Sequence, residues 1–308
     1  MRTLVVMLAG ALAGCGNVGS KQSDAGAPGA DATPPDASTV CDPTGTFDPA
    51  VPVAGLNTGL TERLPRLTAD ELELYFDDNA GGTDVNIYRA QRSGIDQAFS
   101  APSPVTVVNT TGFEAVPSVS SDGRTLFFHS SRVTGEGVHL YVTTRTSRIG
   151  EFNAPSEAIN VNSSTVTDTD GQPFLTADSQ ELWFTSTRTG GLGGLDVYRA
   201  TWNGSSFANV LRVPELSTTA GDNFPTLSAD KLTVYLSSDR PTSKGGLDIW
   251  TAHRSTVHDG FPMPTPVAEL NTTGNEAIGW ISADNCRIYF SSDIAGTNDI
   301  YVASRHPM

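Results

Sequence analysis

Short apolar runs alternate with breaks rich in Gly, Ser, Asn and Asp along most of the chain, and one pattern of this kind returns five times. The copies read "LPRLTADELELYFDDNAGGTDVNIY", "VPSVSSDGRTLFFHSSRVTGEGVHLY", "QPFLTADSQELWFTSTRTGGLGGLDVY", "NFPTLSADKLTVYLSSDRPTSKGGLDIW" and "IGWISADNCRIYFSSDIAGTNDIY". Each holds a proline (Gly279 in the last), Ser/Thr-x-Asp, an apolar-aromatic run, a polar turn, small residues and an apolar-aromatic pair. No run sustains a helical period. Runs rich in Val, Ile, Leu, Tyr and Phe between turn formers predict strands. The repeat aspartates are Asp70, Asp122, Asp178, Asp230 and Asp284, in steps of 52, 56, 52 and 54 residues. Self-similarity at this period predicts an array of supersecondary units, and four strands in about fifty residues make the blade of a β-propeller.

Between the cores lies a second repeated segment: "FDPAVPVAGLN", "FSAPSPVTVVN", "FNAPSEAINVN", "FANVLRVPELS" and "FPMPTPVAELN". With strands a, b and c in each core, this Phe-initiated segment supplies strand d. The first d segment, at Phe47, precedes any core, and the chain stops just after the last c strand. The prediction is an all-β, five-bladed propeller over 47–305. The N-terminal strand completes the last blade and leaves no open end to the ring.

The first forty-six residues have a different composition. "MRTLVVMLAGALAGC" carries Arg2, an apolar run from Leu4 to Leu12 and small residues before Cys15. The run is too short to span a bilayer and reads as a cleaved signal over 1–14. "LAGC" resembles the bacterial lipobox, which implies lipidation of Cys15; the alternative is an ordinary signal with an incidental cysteine. Gly16 in place of Asp points, by analogy with enteric bacteria, to the outer membrane, facing periplasm or exterior. Residues 15–46 are small, Pro-rich and poor in large apolar side chains, which predicts a tether reaching roughly 25–30 Å. The formal net charge of −15 excludes a nucleic-acid partner, because phosphate binding needs clustered Lys and Arg. It suits an envelope protein or cationic peptide as partner. A monomer without cofactor or metal is expected, touching the membrane only through the lipid.

The repeat P-x-Leu-Ser-x-Asp, Tyr-Phe-Ser-Ser, Gly-Gly, Asp-Ile-Tyr resembles that of TolB-like, or WD-like, β-propellers. The resemblance covers five units from about residue 47 to 305. It implies the fold and a role in protein interaction at the envelope. TolB itself has six blades and an N-terminal domain, and neither the sixth copy nor that domain is present here.

Antiparallel order within a blade puts the d–a connections and b–c loops at one end, the top, and the a–b turns and c–d loops at the other. Eight residues before each repeat aspartate stands another acid: Glu62, Glu114, Asp170, Asp222 and Glu276. These five form a candidate acidic binding mouth around the central channel; the alternative is that each caps its own d–a connection. The Phe-to-Asp spacing is 23 residues in four units and 26 in the third. The extra residues fall in "VNSSTVTDTDG", where Asp168, Asp170 and Gly171 only faintly resemble a calcium loop. Phosphate-loop, nucleophile-elbow and zinc-protease motifs are absent, and the histidines lack metal spacing. His139, in place of an acid, suits a structural or solvent-facing role. Trp183 and Trp250 suit inter-blade packing, and Trp202 an exposed position. Trp280 shares a column with Arg66, Ser118, Phe174 and Thr226 that faces either the channel or a neighbouring blade.

The sequence favours a non-catalytic protein- or peptide-binding propeller over a glycan-binding or glycan-hydrolysing one acting through the same face. It also predicts a Cys41–Cys286 disulfide, the alternative being two free thiols. With Cys15 assigned to lipid, these two cysteines remain in an oxidising compartment. Cys286 starts strand b of the last blade, while Cys41 lies six residues before the closing strand. Those residues can cross the roughly 10 Å between strands b and d. The family resemblance points the same way.

Overall fold

The computed structural model describes residues 41–306, apart from 80, 81 and 83. The signal segment, Cys15 and most of the tether lie outside the described residues. The first strand, β1 (Val51–Pro52), stands alone in sequence. Blade 1 follows with β2 (Glu62–Leu67), β3 (Glu73–Asp78), β4 (Asn86–Gln91) and β5 (Ser103–Pro104). Blade 2 holds β6 (Glu114–Val119), β7 (Thr125–Ser130), β8 (His139–Thr144) and β9 (Ser156–Glu157). Blade 3 holds β10 (Asp170–Leu175), β11 (Glu181–Ser186), β12 (Asp196–Trp202) and β13 (Phe207–Arg212). Blade 4 holds β14 (Asp222–Leu227), β15 (Thr233–Ser238), β16 (Asp248–His253) and β17 (Thr265–Pro266). Blade 5 holds β18 (Glu276–Ile281), β19 (Arg287–Ser292) and β20 (Asp299–Ser304), with β1 as its fourth strand. The result is the predicted five-bladed β-propeller, closed by the N-terminal strand.

Local chemistry explains the repeat. In every a–b turn the Ser or Thr hydroxyl donates to the repeat aspartate, from Thr68–Asp70 to Ser282–Asp284. The same carboxylate accepts the backbone N–H two residues on, which fixes the turn. The asparagine ending the d segment acts like one more strand residue. Asn109, for example, exchanges two hydrogen bonds with Ile87, at 2.9 and 3.0 Å.

Strand a carries a bulge in every blade. Leu64, Val116, Gln172 and Phe224 adopt φ of 50–55° there. The bulge turns a backbone N–H toward the preceding blade, where a polar side chain meets it. Asp77 accepts from Val116 (3.0 Å), His129 from Gln172 (3.3 Å), Ser237 from Ile278 (2.9 Å) and Ser291 from Leu64 (3.5 Å). Between blades 3 and 4 the Gln172 side chain relays the contact, accepting from both Thr185 (2.9 Å) and Phe224 N–H (3.0 Å). Gly171 leaves the space this needs, since a Cβ there would lie 2.6 Å from His129 Nδ1.

Closure joins chain start to chain end. β1 pairs with β20, Phe47 bridges to Arg305, and Asn57 exchanges hydrogen bonds with Ile300 at 2.9 and 2.8 Å. Cys41 and Cys286 form a disulfide across 245 residues of sequence. By loop-closure entropy such a bond contributes about 2–5 kcal/mol. Replacing both cysteines by serine should lower the denaturant midpoint accordingly. Equal midpoints for the double variant and the oxidised wild type would show that the bond does not hold the ring.

Candidate functional site

The five repeated acids do not form an open mouth. Glu62, Glu114, Asp170, Asp222 and Glu276 are each 0% exposed, because each carboxylate turns inward to cap its own d–a connection. In blade 2, Thr110 donates through N–H (2.6 Å) and hydroxyl (2.8 Å) to Glu114, and Ser130 donates at 2.7 Å. Thr218 and Ser238 do the same for Asp222, and Thr272 and Ser292 for Glu276. Asp170 accepts Ser163 N–H at 2.6 Å. Three caps are also ion-paired, Glu114 with Arg132, Asp170 with Arg188 and Asp222 with Arg240.

Blade 1 is the exception. Glu62 accepts from Thr58 (2.5 Å), its Oε2 has no partner, and it faces Asp78 where the other blades have serine. Burial raises its pKa against the Thr58 hydrogen bonds, and Asp78 and Asp299 add to the rise. Asp168 is bound by Ser163 (2.6 Å) and Asp170 by Arg188, so the residues of the faint calcium loop serve as caps.

Two catalytic-looking groups that the sequence did not single out sit among the inter-blade acceptors. Asp77, 0% exposed, is raised by burial, with Arg63 (2.8 Å) and Val116 N–H opposing. His129 is pushed down to about 3 by burial and by Arg63, so the ring is neutral and its Nδ1 is free to accept. The signal was in the chain: the residue before the last one of each b strand (Asp77, His129, Thr185, Ser237, Ser291) is always polar. His139 bridges Glu157 and the Val166 carbonyl, each at 3.1 Å.

The channel axis is filled by the column that includes Trp280. Arg66, 1% exposed, lies with its guanidinium 5.1 Å from the Phe174 ring. It donates to Thr226 (2.8 Å) and to the Gly279 carbonyl. Gly279 replaces the proline of the other repeats because a Cβ there would lie 2.3 Å from the Pro65 carbonyl oxygen. A cavity of about 40 Å³ remains beside Arg66, Ser118, Phe174 and Trp280.

An open concavity lies instead between blades 2 and 3. In four blades an arginine directly follows strand c and stacks on the Phe that begins the d segment: Arg92–Phe99, Arg145–Phe152, Arg254–Phe261 and Arg305–Phe47, at 4.2–4.6 Å. Blade 3 has Trp202 at that position, 39% exposed, edge-on to Phe207 at 5.2 Å. Its c–d connection is also two residues shorter. Trp202, Phe207, Phe127, Leu175, Ile159 and Gln180 line a cavity of about 470 Å³. Beside it runs β13, the outer strand of its sheet and six residues long, where the other outer strands have two. Val213 donates to Val197 (2.8 Å). Antiparallel alternation then turns the N–H and C=O of Arg212 toward the open edge. The three-residue insertion ahead of blade 3 lines a separate concavity at the end of the d–a and b–c loops, through Ser163 and Thr165 with Val210. Trp183 and Trp250 are buried; Trp183 packs edge-on against Phe261 of blade 4 at 6.3 Å.

No protein-family model and no curated protein matches the chain. Solved structures match its fold. An endo-arabinase from Bacteroides thetaiotaomicron aligns with a TM-score of 0.56 at 14% identity, over 84% of this chain and 98% of that one. The catalytic domain of the Coprinopsis cinerea GH62 α-L-arabinofuranosidase gives 0.52 at 10% identity, over 85% and 98%. TolB from Acinetobacter baumannii gives 0.46 at 19% identity over 80% of this chain, which spans about half (55%) of that protein. The two arabinan-degrading enzymes, with TM-scores above 0.5, share the propeller fold with this chain, and at 10–14% identity they show nothing finer.

The caps differ in a measurable way. Asp222→Asn leaves the buried Arg240 without its carboxylate and should cost about 3–5 kcal/mol. Glu62 has the opposite sign. A carboxyl whose folded pKa is raised contributes stability at low pH and loses it as pH rises through the folded pKa. Glu62→Gln should therefore gain stability relative to wild type as pH is raised from about 4 to 7. Denaturant midpoints across that range test both, and a pH-independent Glu62→Gln difference would contradict the assignment.

Proposed function

We propose that the protein is a non-catalytic binding module of the bacterial cell envelope. A lipid on Cys15 holds it at the outer membrane, and an extended protein segment docks in the cleft between blades 2 and 3. One observation carries the reading: two departures from the five-fold repeat meet at that cleft. They are Trp202 in place of arginine and the shortened connection that lengthens β13. Four outer strands are protected against pairing by being two residues long and by containing or following a proline (Pro52, Pro104, Pro155, Pro266). β13 has neither protection, so its free backbone groups suit an added strand, and the apolar cavity suits a side chain of that strand. The bulge within the β12–β13 pair twists the edge, which suits a pliable segment better than the rigid edge of a second copy.

The charge argument for a cationic partner loses its basis, because the carboxylates that motivated it are buried. Glycan hydrolysis fits less well, since it requires two carboxylates at an open site and the five repeated acids are tied up as caps.

Two measurements test the proposal. Cys15→Ser should shift the protein from the membrane to the soluble fraction with loss of the lipid mass; unchanged fractionation and mass would remove the anchor. A photo-crosslinking residue at position 211 should capture an envelope protein in intact cells, and Trp202→Ala should reduce that capture at least tenfold. Capture unaffected by Trp202→Ala would move the binding site elsewhere.

A further inference from the structure

We propose that the propeller axis is an anion site: the guanidinium of Arg66 binds one small monovalent anion of chloride size. The inference starts from an unbalanced charge. Arg66 is 1% exposed, and among the described residues no carboxylate lies within ion-pairing distance of it. Of the buried acids in the d–a caps, three are paired with Arg132, Arg188 and Arg240, and none of the five is paired with Arg66. Burial lowers the Arg66 pKa to about 9, which leaves it charged at neutral pH. A lone ion in this environment costs several kcal/mol unless a counter-charge accompanies it.

The geometry supplies the place for one. One terminal nitrogen is used, donating to Thr226 and to the Gly279 carbonyl, and the Phe174 ring covers one face of the guanidinium. The Nε and the other terminal nitrogen have no partner and are out of contact with solvent. These two donors form one edge of the guanidinium, the edge that receives an anion side-on. Arg66 borders the cavity of about 40 Å³ on the axis, together with Ser118 and Trp280. Ser118 Oγ accepts from Leu175 N–H at 2.9 Å, so its own hydrogen is available to an anion. A cavity of this size has room for one small ion or a few water molecules and is too small for a sugar. A single positive charge matches a monovalent ion. At the a–b end the cavity is ringed by small side chains, Ala69, Ser121, Ala177, Ala229 and Ala283, the middle residues of the five Ser/Thr-x-Asp turns.

This site is independent of the cleft between blades 2 and 3, and its test does not involve the protein partner. Crystals of the full-length protein grown in sodium bromide should show an anomalous peak within hydrogen-bonding distance of Arg66 Nε. In solution, replacing sodium gluconate by sodium chloride at constant ionic strength should raise the melting temperature by about 3–5 °C per tenfold increase in chloride above the dissociation constant. Arg66→Met, of similar volume and uncharged, should abolish that dependence. Melting independent of chloride together with no bromide at Arg66 would overturn the proposal, since the cavity would then hold only water. A full chloride response retained by Arg66→Met would overturn it as well.

Discussion

The arrangement depends on one recurring hydrogen bond, from a bulge N–H of strand a to a polar side chain on strand b of the preceding blade. Five sheets stacked around an axis bury their inner strands from solvent, and a bulge there exposes a backbone donor that costs free energy if unmet. Meeting it from the neighbouring blade converts a local irregularity into a bond between blades. The acceptor varies from seam to seam, being carboxylate, imidazole, a glutamine relay or, at two seams, a serine hydroxyl, while a bulge of strand a supplies the donor at all five. This explains why an aspartate and a neutral histidine stand where catalytic groups would be sought. Their lone pairs are committed to the ring, and His129 serves only as the uncharged form that can accept.

The same economy governs the carboxylates at the top. A side chain repeated in every blade meets a need that every blade has, which here is capping the d–a connection. Function has to be sought where the repetition fails. Arg66, Gly279 and Trp280 break it on the axis, where they leave only a small cavity. Trp202, the short connection and the long β13 break it at the rim. Each break is a local loss of symmetry with a cost, such as an unmatched guanidinium or an unprotected strand edge, that a bound partner can offset.

Much of this was legible in the chain. The strand count, the blade count, the closing strand and the cysteine pair follow from periodicity and from where the first d segment sits, because those are properties of order along the sequence. The inward turn of Glu62 and its four equivalents was legible only as one of two alternatives, the capping of each d–a connection. Sequence spacing places a side chain beside a connection but does not say which way it points, and the deciding partners, such as Arg240 and Ser238, lie 16–18 residues further on. The cleft was not visible. The exchange of arginine for Trp202 gained meaning only once the other four arginines were seen stacked on their phenylalanines.

The disulfide also defines how the domain carries load. Any pull on the chain ahead of Cys41 reaches a covalent bond to strand b of blade 5 before it reaches the two-residue β1. A strand that short would peel away one residue pair at a time under tension. With the bond in place, tension bypasses the seam and enters the sheet at the start of β19, where six register pairs to β20 share it in parallel. The weakest joint of the ring is thereby taken out of the path of force.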